Sequence, residues 1–292
     1  MSDVDQSIDL AAFAVEVGTD GPVTIAGLAT RGGPCPGVRT VRAPAGIAWI
    51  QPDEMTACCG AATPVDELVD ALAAHGQTVA LPRGGTVGGA LAIGRADIRR
   101  LGWGPVRDVL LQARYVSAAA DVVKAGGPTV KNVSGFDLCR LLVGSRGALG
   151  FIGEVILRTR PLAAHSEWFT VDADDPSDVF LALYRPVSAL WEGRHVWALL
   201  EGHPADVADQ ARGAGMRPTA GPPDLPTGSR RLLPPASLPA LTGTFVAELG
   251  VGVVHHAEAW DAPPRDPREL ALANEVKRQL DPTGRLNPCV DV

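Results

Sequence analysis

The sequence is short of aromatic residues, of positive charge and of patterned cysteine, and each shortage removes a class of protein. Aromatics make up 5% of the 292 residues, so Val, Leu, Ile and Ala must fill most of any core. Lys and Arg number 26 against 33 Asp and Glu, a net charge of −7, and this lacks the basic field that a nucleic-acid binder presents. The five cysteines (Cys35, Cys58, Cys59, Cys139, Cys289) contain no C-x-x-C pair, which argues against zinc or iron–sulfur ligation and predicts no metal site. Odd in number and scattered, they read as reduced thiols of a cytoplasmic protein. No apolar run approaches the ~20 residues of a membrane span. The opening MSDVDQSIDL lacks the charged-then-apolar order of a secretory leader.

What is present is the profile of a soluble globular chain, 46% hydrophobic and 20% charged. Glycine (33) and proline (25) approach a fifth of the residues, above the usual combined share of roughly 12%, and predict many turns and short elements. Residues 1–20 are weakly patterned. A short apolar run, Val23–Ile25, enters GLATRGGPCPG, and Ile47–Ile50 and Met55–Gly60 read as two short strands. A helix follows with Thr63 as N-cap, Pro64 in its first turn, Asp66 and Glu67 at its positive end and Gly76 after it. Val109–Val116 and Val122–Lys124 read as a strand pair, Asp137–Leu142 as a short helix and Phe151–Arg158 as an alternating strand. After Pro161 the pattern becomes βαβα, with strands at Trp168–Val171 and Val196–Glu201 and helices at Pro176–Tyr184 and Pro204–Arg212. Residues 217–239 read as a long connection, Val251–His256 as a strand and Pro267–Leu280 as a helix capped by Asp266.

Two glycine-rich segments carry the chemical signal. LPRGGTVGGALA (Leu81–Ala92) packs four glycines into six residues ahead of a helix, where backbone N–H groups can approach a phosphate. It is neither GxGxxG nor GxxxxGK[ST], so a Rossmann turn and a P-loop both fit poorly. In Val130–Arg158, Gly144, Gly147 and Gly150 recur every third residue before a strand. Each segment alone is equally well read as a tight structural turn.

Their order says more. PVTIAGLATRGG, EMTACCGAATPVDELVDAL, GGTVGGALA, RRLGWGPVRDVLL, VKNVSGFDLCRLLVGSRGALG and the terminal DPTGRLNP together resemble the FAD-binding domain of the vanillyl-alcohol oxidase (PCMH-type) superfamily. The resemblance is closest to the small FAD-domain subunit of glycolate oxidase complexes. It covers residues 20–160 and the last 25, and 161–260 only in outline. It implies an α+β fold: a two-subdomain PCMH-type FAD-binding domain over 1–160, a shortened α+β cap over 161–262, and a C-terminal helix and tail (263–292) returning to the FAD domain.

The same resemblance implies non-covalent FAD. Gly27, Leu28, Ala29, Thr30 and Arg31 would form the first pyrophosphate loop, and Gly84, Gly85, Thr86, Val87, Gly88 and Gly89 the second. Gly144, Ser145, Gly147, Gly150 and Ile152 would run beneath the rest of the cofactor, and Asp108 would anchor a loop, or else pair with Arg107 or Arg114. The superfamily's first loop often reads Arg-Gly-Gly-Gly-Ser/Thr. Here one glycine of the three remains, so the second loop is expected to be the better phosphate site. No histidine lies in the first loop to attach flavin, and Cys35 nearby reads as a small buried residue.

For 2-hydroxy acid oxidation a base is required, and His255 and His256 are the candidates, only one of which can face a pocket on an alternating strand. The implied role is the FAD-binding subunit of a glycolate or 2-hydroxy acid dehydrogenase complex. Its partners would be a larger FAD-containing catalytic subunit and an iron–sulfur subunit, holding it in the cytoplasm or at the inner face of the membrane. The alternatives are a scaffold subunit with weak or absent flavin and a self-sufficient small flavoenzyme.

Overall fold

A computed structural model describes residues 7–127, 137–260 and 265–290. The VKNVSGF stretch of the segment VKNVSGFDLCRLLVGSRGALG therefore lies outside the described residues. The chain divides into two compact units: 1–96 with 105–162 and 265–292, and 97–104 with 163–264.

The first unit is built on a five-stranded antiparallel sheet in the spatial order Ile47–Gln51, Thr56–Gly60, Phe151–Arg158, Leu110–Val116, Val122–Gly126. The central strand, Phe151–Arg158, buries seven of its eight residues. The helix Val65–Ala73 buries Val65, Leu68, Val69 and Leu72, a spacing that lines one helical face, at about 1.5–3 kcal/mol for each large apolar side chain removed from water. Its cap differs from expectation. Pro64 takes the cap position without a side-chain bond, while the Thr63 hydroxyl accepts from the Gly46 N–H (2.9 Å) and donates to the Gly46 carbonyl (3.1 Å).

The C-terminal helix Pro267–Leu280 begins as its sequence predicts, with the Asp266 carboxylate accepting the Arg268 N–H. The tail after it closes the unit. Asp281, fully buried, accepts the N–H groups of Arg285 (3.1 Å) and Leu286 (2.8 Å) and pairs with Lys277 Nζ (2.6 Å). Arg285 donates to the carbonyls of Gly21, Ala118 and Val17. Leu286 bridges to Val23 beside the parallel ladder Val23–Ile25/Arg39–Val41. The DPTGRLNP motif is thus a suture of the termini.

One expectation is corrected here. Cys35 and Cys289 form a disulfide across 254 positions, with Cα atoms 5.7 Å apart, and only Cys58, Cys59 and Cys139 are free. Spacing along the chain carries no information about a pair that distant.

The second unit is a seven-stranded antiparallel sheet rather than a small one. Its order is Arg217–Thr219, His165–Asp172, His195–Gly202, Ser188–Trp191, Phe245–Glu248, Val253–His256, Ser229–Leu232. The helix Pro204–Gly213 packs Val207 and Ala211 into an apolar cluster with Phe169, Ala198, Leu200 and Phe245. The stretch 217–239, expected as a connection, contributes both edge strands. Ser188–Trp191 and Phe245–Glu248 escaped the sequence reading because all four residues of each are buried, which erases the alternation that marks a half-buried strand.

Candidate functional site

The first unit encloses a cavity of about 740 Å³, within the range of small-molecule and cofactor sites. Four segments form most of its lining, with Cys35, Ala43, Ala61, Ala62 and Pro82 between them. Residues 24–33 run along it without interruption; Thr86, Gly88 and Gly89 and the stretch 92–96 contribute, except Gly94; Ser145, Arg146, Gly147, Gly150, Phe151 and Ile152 form a third side; Asn287 and Val290 of the tail form a fourth. Among the expected site residues, Gly27, Leu28, Ala29, Thr30, Arg31, Thr86, Gly88, Gly89, Ser145, Gly147, Gly150 and Ile152 are brought together here. Gly84, Gly85, Val87, Asp108 and Gly144 are not part of the lining among the described residues.

The two phosphate-type turns are built differently. In the second loop the amides are engaged within the protein. Gly84 N–H donates to Asp66 (3.0 Å), Val87 to the Thr63 carbonyl (2.9 Å), Gly88 to the Ala61 carbonyl (2.7 Å) and Gly89 to Thr86 Oγ1 (3.1 Å). The helix it opens, Val87–Ile93, is seven residues long. In the first turn, the backbone ties among the described residues are Ala26 N–H to the Val41 carbonyl and the Thr30–Gly32 bridge. The residues between them line the cavity. Ala29 there takes φ +56°, a left-handed conformation that side chains other than glycine rarely adopt and that turns successive amides toward one concavity.

Side chains brace that first turn. Arg31 reaches the second loop and donates to the carbonyls of Gly84 (2.6 Å), Pro82 (2.9 Å) and Arg83 (2.7 Å). Burial lowers its pKa from the ordinary arginine value, with Asp66 opposing the shift. Asp66 holds the same corner through Gly84 N–H and Arg83. Gly85, at φ +68°, has no room for a side chain, because an added Cβ would collide with Arg31 Nη1 and Thr30 Oγ1. This glycine is required by the arginine brace. Thr86 stands against Gly27, where an added Cβ would lie 3.1 Å from Thr86 Oγ1.

The third turn docks on the end of the helix Val87–Ile93. Gly144 and Arg146 donate their N–H groups to the carbonyls of Leu91 (3.0 Å) and Ala92 (2.9 Å). The Ser145 hydroxyl donates to the Leu142 carbonyl (2.8 Å). Asn287 joins this turn to the first strand. Its Nδ2 donates to the Arg146 carbonyl (2.6 Å), and its Oδ1 accepts from Thr24 Oγ1 (2.7 Å) and the Ile25 N–H (3.1 Å). An added Cβ at Gly147 would lie 2.6 Å from that Nδ2. Sequence reasoning missed Asn287, Arg95 and Arg146 as lining residues. Asn287 stands in the terminal motif and carried a signal; the arginines carried none. Arg95 and Arg146 are exposed and make no ion pair among the described residues, so two positive charges border the cavity uncompensated.

Asp108 lies in an exposed turn, 3.8 Å from Arg107. Arg114 pairs instead with the buried Glu154 (3.3 Å). The candidate bases both lie in the second unit on Val253–His256. His255 Nε2 meets Glu248 Oε1 at 2.8 Å, across neighbouring strands. His256 turns the other way, 6.0 Å from the Phe245 ring, with neither ring nitrogen hydrogen-bonded among the described residues. Burial, then Arg231, lowers its pKa. Asp97 of the same unit has its carboxyl pKa raised by burial, against Arg99, with Glu248 adding to the rise. Among the described residues no group of three or more His, Cys, Asp or Glu side chains could hold a metal ion, and no helix is long and apolar enough to cross a membrane.

Residues 40–126 match the model of the FAD binding domain family. The chain is 37% identical over 126 residues to glycolate oxidase subunit GlcE of Escherichia coli, an alignment of 41% of this chain and 36% of that protein. It is 36% identical over 115 residues to the D-lactate dehydrogenase of Archaeoglobus fulgidus, 38% of this chain and 26% of that protein. The match thus spans about a third or less of the length of these relatives. A solved alkyldihydroxyacetonephosphate synthase superposes on 91% of this chain and 71% of its own with a TM-score of 0.66 at 13% identity, a likeness of fold. The cavity's residues fit the group that such a domain holds: it has the size, a turn with a left-handed residue at Ala29 and bordering positive charge suited to a dinucleotide's phosphates. Residues 40–126 thus carry the sequence of an FAD binding domain, and the chain shares its fold with alkyldihydroxyacetonephosphate synthase.

Proposed function

We propose that this chain is the FAD-holding subunit of a 2-hydroxy acid dehydrogenase complex and hands electrons from its flavin to a partner subunit. The observation that carries this reading is the cavity of the first unit, lined by three glycine-bearing turns and the tail. Residues 27–33 would hold the pyrophosphate through backbone amides, and Arg95 and Arg146 would offset its charge. Thr86, Gly88 and Gly89 would border the cofactor with small atoms, and Ser145 to Ile152 would flank the remainder. Bound FAD supplies the two-electron redox chemistry. The likeness to a glycolate oxidase subunit and to D-lactate dehydrogenase supports small 2-hydroxy acids as the substrate class. Partners would be a larger flavoprotein and an iron–sulfur protein.

A second reading, a self-sufficient dehydrogenase, is favoured by the His255–Glu248 pair. Glu248 engages Nε2, which fixes the tautomer and leaves Nδ1 as the atom to exchange a proton. Purified chain separates the readings. The first expects visible flavin that is released by denaturation, and dye reduction with glycolate or D-lactate only when the partners are added. A colourless chain that refuses added FAD would sink both readings; turnover by the chain alone would establish the second.

A further inference from the structure

We propose that Cys35 and Cys289 are a thiol-redox site, and that their disulfide is a latch that sets how tightly the first turn holds a dinucleotide. The proposal rests on FAD occupying the cavity. Cys35 lines that cavity, as do Asn287 and Val290 on either side of Cys289. Residues 26–38 connect two short strands and contain neither helix nor ladder strand. Away from its ends this segment is held in the middle by two anchors, the Arg31 guanidinium on the second loop and the Cys35 sulfur on the tail. Hydrogen bonds support the second anchor: Cys35 N–H donates to Thr24 Oγ1 (3.0 Å), and Cys289 N–H to Cys35 Sγ (3.3 Å). With the bond cut, a segment whose amides serve the ligand would gain freedom that binding must then remove.

The geometry assigns a direction to the chemistry. Cys289 is exposed and Cys35 is buried, so an external thiolate meets the Cys289 sulfur. Attack by one thiolate of a dithiol reductant forms a mixed disulfide at Cys289. The Cys35–Cys289 bond breaks, and Cys35 leaves as a thiolate that takes a proton inside the cavity wall. The second thiolate of the reductant attacks the reductant's own sulfur in the mixed disulfide. This releases the reductant as its disulfide and Cys289 as the thiol, two electrons having passed from dithiol to protein. The other cysteines do not compete. Cys58, Cys59 and Cys139 are all buried, and burial above all pushes each thiol up, Cys58 to about 12 and Cys139 to about 11.

The test uses the full chain loaded with FAD, oxidised in one arm and treated with dithiothreitol in the other. Native alkylation with peptide mass analysis reads the thiols, flavin fluorescence reads FAD release, and hydrogen exchange reads residues 26–38. Reduction should expose Cys35 and Cys289 alone and accelerate FAD release on the order of tenfold, the ratio that reordering one or two loop side chains costs. Exchange in 26–38 should rise with and without FAD. Cys289→Ser should match the reduced wild type and ignore dithiothreitol. Unchanged release and exchange after both cysteines are labelled would overturn the proposal, as would two thiols that label equally before reduction. A chain that binds no FAD removes the flavin reading but leaves the latch testable: faster exchange in 26–38 on reduction supports it, and unchanged exchange overturns it.

Discussion

The two glycine turns beside the cavity divide their work in the opposite way to their glycine content. The second loop, with Gly84, Gly85, Gly88 and Gly89, engages its amides with Asp66, Thr63, Ala61 and Thr86. It is a structural corner that happens to border the site. The first turn, with the weaker glycine pattern, lines the cavity throughout and is braced by its own Arg31 on the second loop, by Asn287 and by the Cys35–Cys289 bond. Glycine frees a backbone to approach something, but the sequence does not say whether that is a ligand or the protein itself. Here much of the second loop's freedom serves close packing on Ala61 and on Arg31.

The comparison breaks most severely at Gly88. A side chain there would start 2.8 Å from the Ala61 Cβ and 2.9 Å from its carbonyl oxygen. Gly88→Val should destabilise the first unit by about 3 kcal/mol, the upper range for overpacking, visible as a large fall in thermal midpoint. Gly89, one residue on, meets only Thr86 Oγ1 at 3.0 Å and lines the cavity. Gly89→Val should keep most of the thermal midpoint and lose FAD. A mutant at Gly89 that retains stoichiometric FAD would show that the cofactor does not reach the second loop.

Next in size is Arg31. Arg31→Ala removes the donor to three carbonyls and frees the first turn from the second loop. The carbonyls can recruit water, so the stability loss should stay near 1 kcal/mol while FAD binding weakens by about tenfold or more. Arg31→Lys should recover little, because the compact ammonium cannot reproduce the two separate nitrogens, Nη1 and Nη2, with which the planar guanidinium reaches the three carbonyls. Calorimetric titration with FAD checks both; full recovery by lysine would show that charge alone is at work.

How far the sequence could be read follows from the same physics. Phe151–Arg158 has the predicted limits although both its faces are buried, because a glycine turn precedes it and the exposed Arg158 closes it, and Pro267–Leu280 has them because the Asp266 cap marks its start. The strands Ser188–Trp191 and Phe245–Glu248 have no exposed face and left no period to detect. The outer elements of the site were legible as glycine turns in the right order. What joins them was not: Arg31 to the second loop, Asn287 to Arg146 and Cys35 to Cys289 are contacts between residues 51 or more positions apart. Nothing in local spacing encodes such partners.

The effect expected to reach the first turn least directly sharpens the comparison by acidity. Asp281 orders the tail that carries Asn287 and Cys289, and so supports the first turn without touching the second. Burial alone would raise its pKa, but hydrogen bonds from Lys277, Leu286 and Arg285 outweigh burial and hold the carboxyl below the ordinary value of 3.8. A carboxylate depressed in the folded state contributes its stability in full above the unfolded pKa. That contribution fades as pH falls below 3.8 and through the lower folded value, where the native group also takes its proton. Asp281→Asn should therefore cost about 1–2 kcal/mol near neutral pH, from the lost charge-assisted bonds and an uncompensated Lys277. The gap to wild type should narrow as the medium is acidified past that range. Hydrogen exchange at neutral pH should rise at residues 24–38 in the mutant and stay unchanged at 84–89. Equal loosening of both turns would show that the tail stabilises the unit as a whole, and the division between the two turns would then be one of hydrogen bonding only.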